Sequence, residues 1–236
     1  MPGPIDEAAV KIAHEMTSWK SIELEGVQVI TLHGGLLEAA SGRKRAFDRV
    51  EERYIEEVNG NRLYDNKLLL GDAYAGRFTG YCDGTQCARV DYDSSDPKKL
   101  KTVVISKSFL KEGKGNLTDR PLPLQSFYVG ATPLYEALPS SQHMGQEICL
   151  GRECDIFLFP NVKGAMGTHA KVYSLDRLTG VPLKFASYAN QADVEKQLPT
   201  LTWTASEAKF IENHLIPTRS ESVTYTSAAA NQPRSK

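Results

Sequence analysis

Apolar positions recur at helical spacing only near the start of the chain. Ile5, Ala8, Ala9, Ile12, Met16 and Trp19 fall so that one face of a helix over 5–19 is apolar. Pro4 suits its first turn, and Asp6 and Glu7 suit the positive end of its dipole. Further on, the pattern is that of strands. Residues 25–32 alternate over part of their length. Asn59-Gly60 is a hairpin signal between 53–58 and 62–70. Segments 74–82 and 87–92 flank Asp83-Gly84, and 101–109 carries Val103, Val104, Ile105 and Phe109. Arg120-Pro121-Leu122-Pro123 interrupts regular structure. Thr132-Pro133, with Glu136 three residues after the proline, predicts a short capped helix over 132–138. Strands resume at 147–150, 153–159, 170–175, 182–188, 200–205 and 223–226, with 208–215 ambiguous.

About ten short strands in hairpins imply antiparallel pairing, because tight turns cannot join parallel neighbours. The absence of long helical crossovers in the pattern excludes a doubly wound sheet. With 236 residues and no composition break, the chain reads as one domain over 1–226. Residues 227–236 are polar, contain a proline and lack periodicity, and read as a disordered tail.

Charge and motifs narrow the function classes. Lys and Arg number 28 against 29 Asp and Glu, a net charge of −1, which excludes a broadly basic nucleic-acid surface. No apolar run approaches the roughly 20 residues that cross a bilayer as a helix. His14, His33, His143, His169 and His214 are scattered, and His14-Glu15 lacks a second histidine because position 18 is Ser. No G-x-S-x-G elbow, Walker A or dinucleotide glycine pattern occurs. Asp91, Asp93 and Asp96 lack the glycine and distal glutamate of a calcium loop and read as a solvated turn. Gly42-Arg43-Lys44-Arg45 reads as a solvated basic loop. The expectation is a protein that is not an enzyme and needs no metal or cofactor.

The cysteines carry the most specific pattern. Cys82-Asp83-Gly84-Thr85-Gln86-Cys87 and Cys149-Leu150-Gly151-Arg152-Glu153-Cys154 share the form Cys-x-Gly-x-x-Cys. A two-residue loop at Gly84-Thr85 sets Cys82 opposite Cys87 at a non-hydrogen-bonded pair, where side chains are closest. The same register sets Cys149 opposite Cys154. A type I′ turn one residue earlier would slip the register and separate the sulfurs. Free thiols and a four-cysteine metal site remain the alternatives, the latter a weak fit because structural zinc favours Cys-x₂-Cys. Two structural disulfides imply an oxidising compartment. Met1-Pro2-Gly3-Pro4 shows no signal peptide, so export calls for a signal or anchor upstream of residue 1.

Residues 172–184, Val-Tyr-Ser-Leu-Asp-Arg-Leu-Thr-Gly-Val-Pro-Leu-Lys, resemble a hairpin of the bacterial lipoprotein-carrier superfamily (LolA/LolB-like). There a strand ends in aspartate, turns, and resumes with an apolar-Pro-apolar-basic strand. Tyr81-Cys82-Asp83-Gly84 resembles the family's aspartate-glycine hairpin, and the order of elements fits over most of the chain. The two cysteine hairpins stand outside that pattern. The resemblance implies a mainly β (α+β) fold. A strongly curved antiparallel sheet would form an incomplete barrel, with the N-terminal and mid-chain helices as lid or plug. It implies an envelope or periplasmic protein that holds a lipid, an acylated protein or another apolar ligand in the concave face. Helix or loop motion would open the mouth. Val103, Ile105, Ile156, Leu158, Tyr173, Leu175, Phe185 and Trp203 are the candidate lining residues. Adjacent strand residues such as Ile156 and Phe157 point to opposite faces, so only some of these can share a cavity. The alternative is an envelope sensor or protein-interaction module on the same fold, such as the exposed part of a membrane-anchored protein. Membrane contact is expected only through such an anchor or transiently.

Overall fold

A computed structural model describes residues 3–29, 48–57, 61–83, 86–107, 122–130, 132–164 and 167–225. Asn59-Gly60, the turn at Gly84-Thr85, Gly42–Arg45, Phe109 and the tail from 227 lie outside the described residues. The chain divides into two compact units, one built from Met1–Ser18 with Arg120–Lys236, the other from Trp19–Asp119.

The second unit is a six-stranded antiparallel sheet in sequence order: β1 Ser21–Val29, β2 Arg49–Glu57, β3 Asn61–Leu70, β4 Ala73–Asp83, β5 Gln86–Tyr92 and β6 Leu100–Lys107. Each strand pairs with the next in sequence, so the sheet is a simple antiparallel meander. One face carries buried Tyr54, Tyr64 and Cys82. The other is charged towards β1–β3, where Arg53 grips Glu23 and Lys67 pairs with Glu51, and apolar towards β4–β6. Asp93 accepts from the backbone and hydroxyl of Ser95, and Asp96 from Lys98 N, so this acidic stretch organises the turn between β5 and β6.

The first unit opens with α1, Pro4–Ser18, as the periodicity predicts. It closes with a second six-stranded antiparallel sheet, ordered β14-β13-β12-β11-β10-β9. These strands are β9 Gln142–Cys149, β10 Arg152–Gly164, β11 Gly167–Asp176, β12 Pro182–Tyr188, β13 Leu201–Ile211 and β14 His214–Thr224. Between helix and sheet lie α2 Leu122–Gln125, the two-residue strands β7 Tyr128–Val129 and β8 Thr132–Pro133, α3 Leu134–Ala137 and a 3₁₀ turn Leu138–Ser140. Helix α4, Gln191–Glu195, follows β12. The fold is mainly β and antiparallel with small helices. Among the described residues neither large sheet closes on itself.

Two predicted details change. The mid-chain helix begins at Leu134 rather than Thr132, because Pro133 is extended and leaves Thr132 in a strand bridge, with no side-chain cap. The ambiguous 208–215 segment is a hairpin whose turn residues Glu212 and Asn213 both have positive φ, the type I′ signature.

The resemblance hairpin is the point where α1 attaches. Asp176 closes the β11–β12 turn: its backbone bonds Val181 and Gly180, and its carboxylate accepts from the amide and hydroxyl of Thr179. Gly180, at φ +78°, lies under α1, where a Cβ would come within 2.8 Å of Ile12. Ile12 is fully buried, and the Lys11 ammonium donates to Arg177 O. At the other end of the helix, Glu15 pairs with His214 of β14 at 2.7 Å.

Candidate functional site

The first unit's sheet has two distinct faces. On one, cross-strand register aligns Trp203, Phe185, Tyr173 and Phe157 on β13, β12, β11 and β10. The rings of Trp203 and Phe185 stack at 5.6 Å, as do those of Phe185 and Tyr173, and Phe159 meets Tyr173 edge-on at 5.5 Å. Tyr173 donates to Tyr128 O in β7, and burial pushes its phenol well above the ordinary range. Lys171 holds its ammonium near the Tyr173 and Phe185 rings, and burial lowers its pKa to about 8. Tyr173, Leu175, Phe185 and Trp203 are all at most 3% exposed. Four of the eight candidate lining residues therefore form packed core.

The opposite face carries Ile156 and Leu158. Leu158 is buried, whereas Ile156 stands half-buried in a groove of about 440 Å³. Ile156 and Val172 form its floor and Met144 one rim, with Tyr188, Val194, Gln197 and Pro199 walling the other side. α4 supplies Val194. Its Asn190 cap accepts from Asp193 N, which sets the short helix beside the sheet. Sequence pattern missed this wall because a five-residue helix is too short to show a period.

One ion pair borders the groove. Lys184 donates to Glu147 at 2.9 Å, and the Ser174 hydroxyl donates to the same carboxylate. Burial alone would raise the Glu147 pKa, but the Ser174 and Lys184 hydrogen bonds outweigh it and hold it below its ordinary value. Ser174 is only 1% exposed, so this hydroxyl has no access to a substrate. A second groove, about 410 Å³, lies between the first half of α1 and the β10–β11 end. It is polar, and its arginines already have partners: Arg152 with Asp176, and Arg177 with Glu153 and Asp155.

Val103 and Ile105 lie in the second unit, on β6, and are 56% and 70% exposed. In register, Leu63, Tyr81, Ala88 and Ile105 follow one another across β3–β6, with Val90 opposite Val103 beside them. This is an exposed apolar patch of the second unit.

The cysteines divide. Cys82 lies opposite Cys87, with Cα atoms 4.1 Å apart, and the two form a disulfide. That bond suits an oxidising compartment. The expected Cys149–Cys154 bond is corrected: both are free, buried thiols. Leu150 and Gly151 have φ of 53° and 72°, a type I′ turn that pairs Cys149 with Arg152 and Cys154 with Glu147. The sulfurs share a face but sit diagonally. The Cys154 thiol donates to Arg152 O, and the two neighbouring thiols shift each other, the Cys149 pKa down and that of Cys154 up. Among the described residues no cluster of three or more His, Cys, Asp or Glu could hold a metal ion, and no helix is long and apolar enough to cross a membrane.

No protein-family model matches the chain, and no curated protein matches it in sequence. Among solved structures it is similar to a DUF1329 family protein from Desulfovibrio piger. That match has 12% identity and a TM-score of 0.52, and covers 93% of this chain and 85% of the other. It is also similar to a putative outer membrane lipoprotein-sorting protein domain from Vibrio parahaemolyticus, with 11% identity, TM-score 0.47 and coverage of 97% and 96%. A third match is the Mycobacterium tuberculosis lipoprotein LppX, with 13% identity, TM-score 0.33 and coverage of 79% and 88%. The first of these establishes a common fold over most of both chains.

Proposed function

We propose that this chain is a non-catalytic protein of the periplasm or cell envelope that binds an apolar ligand, a lipid or the acyl chain of a lipoprotein, in the groove over Ile156 and Val172. The observation that carries this reading is the groove itself. About 440 Å³ lies within the roughly 300–1,000 Å³ of small-molecule sites, and its floor is aliphatic. Each methylene buried there contributes about 0.8 kcal/mol. The polar groups at its border are already mutually bonded, so the groove offers shielding rather than chemistry. Movement of α4, which walls it, admits the chain. The Cys82–Cys87 bond supports export to an oxidising compartment.

The test is native mass spectrometry of delipidated protein after incubation with envelope lipid extract. The expected result is reproducible acyl adducts that are lost in Ile156→Glu while the circular dichroism stays native. Absence of adducts at every lipid concentration sinks the proposal. A protein-interaction module is the second reading, favoured by the exposed Leu63, Tyr81, Val103 and Ile105 patch. Its mark is capture of one envelope protein that Ile105→Glu abolishes.

A further inference from the structure

We infer that Glu147 makes the groove selective: it admits an acyl chain carried in an ester or amide and disfavours a free fatty acid. The inference rests on the groove reading above and names the ligand class that fits it. Lys184 is the one charged side chain among the described lining residues. In register, Ile156, Ser174 and Lys184 follow one another across β10, β11 and β12. The ammonium therefore shares a sheet face with the aliphatic floor, two strands from Ile156, and marks a polar end for the head of an amphiphile. Alone, such a cation would draw a carboxylate.

Glu147 cancels that attraction. Its backbone is on β9, opposite Cys154, yet its carboxylate reaches over β10 to Ser174 on β11 and Lys184 on β12. Both oxygens accept from the ammonium, at 3.2 and 2.9 Å, and the buried Ser174 hydroxyl pins the same carboxylate. It must lose all three bonds before it can swing aside. The same bonds keep it ionised at neutral pH. An incoming carboxylate therefore meets a pair without net charge, with a like charge about 5 Å from its own. That weak attraction does not offset stripping water from an ion at a half-buried site. An ester or amide head brings no charge. Its carbonyl accepts the N–H of Lys184 that Glu147 does not take. The Lys184 and Glu147 side chains are 41% and 29% exposed, so a head group reaches them. Selectivity here comes from repelling the wrong ligand as much as from holding the right one.

The test uses the full chain and three probes of one chain length: laurate, monolaurin and lauroyl ethanolamide, each titrated below its aggregation concentration. Wild type is expected to bind the better neutral probe at least about tenfold more tightly than laurate. Monolaurin in first place marks a glyceride ester, and lauroyl ethanolamide an amide-linked chain; either supports the inference. Glu147→Gln bares the Lys184 charge and is expected to improve laurate at least about tenfold relative to monolaurin. That ratio is read within one protein, so a general loosening of the groove cancels. Adding Lys184→Met to Glu147→Gln removes the cation as well and is expected to abolish the gain. A laurate-to-monolaurin ratio equal in wild type and Glu147→Gln, with all binding lost in Ile156→Glu, overturns the role of Glu147 and leaves the groove. Binding of none of the three probes to wild type overturns the groove reading and this inference with it.

Discussion

Lys171 shows how burial sets the behaviour of a single side chain. Its ammonium is half-buried over the Tyr173 and Phe185 rings, and burial lowers its pKa to about 8 from 10.5. Between those values the unfolded chain holds the proton and the native state does not, so this group makes stability rise with pH from about 8 to 10.5. Urea midpoints across that range are expected to climb in wild type relative to Lys171→Met, and parallel curves would refute the assignment. Asp176 works in the opposite sense. Burial tends to raise its pKa, but Arg152 and Thr179 hydrogen bonds hold it below 3.8. Its contribution is present above 3.8 and is lost as pH falls further through its lower folded value. Asp176→Ala leaves Arg152 and the turn unpaired and is expected to cost roughly 3 kcal/mol at neutral pH. Denaturant unfolding measures it, and a change within experimental error would remove Asp176 from the turn's support.

At the level of elements, hairpins were legible and their turn types were not. The apolar alternation and the Asn, Asp and Gly positions located the strand pairs, because pairing register follows from short connections. The two Cys-x-Gly-x-x-Cys segments are alike as strings, yet they take different registers. Leu150 accepts a positive φ in the second, which shifts its turn by one residue and parts the sulfurs. Nothing in the residue types announces a leucine in that conformation. Thiol titration in denaturant without reductant is therefore expected to count two thiols in protein from its native compartment. Four would remove the Cys82–Cys87 bond, and none would restore the second one. Replacing Cys82 and Cys87 by Ser is expected to cost about 2 kcal/mol, the closure term for so short a loop. The candidate site was legible only in part, for the same reason of facing. Alternation predicts that Ile156 and Phe157 diverge, but only packing against helices shows which face is sealed. Ile156 lines the groove; Tyr173, Leu175, Phe185 and Trp203 became core.

Across the whole chain, the first unit is discontinuous: α1 comes from the N-terminus and the rest from beyond Arg120, with the second unit between them in sequence. Its integrity therefore depends on a few long-range contacts that the helix makes. Ile12 is fully buried and packs against Gly180 of the β11–β12 turn, Lys11 bonds Arg177 O, and Glu15 pairs with His214 of β14. Helix α1 also contacts α3 and the 3₁₀ turn that follows it. A helix of this length is marginal alone, so its order comes from that apolar face. Ile12→Ala removes the central anchor and leaves a cavity beside a turn held rigid by Asp176, which cannot collapse to fill it. The expected cost is about 3 kcal/mol. Gly180→Ala attacks the same contact from the other side, by combining a positive φ with a Cβ inside contact distance of Ile12. Hydrogen exchange is the measurement for both. Amides of α1, β11 and β12 should lose protection together in each variant. Loss confined to α1 would mean that the helix rests on the sheet without helping to hold it.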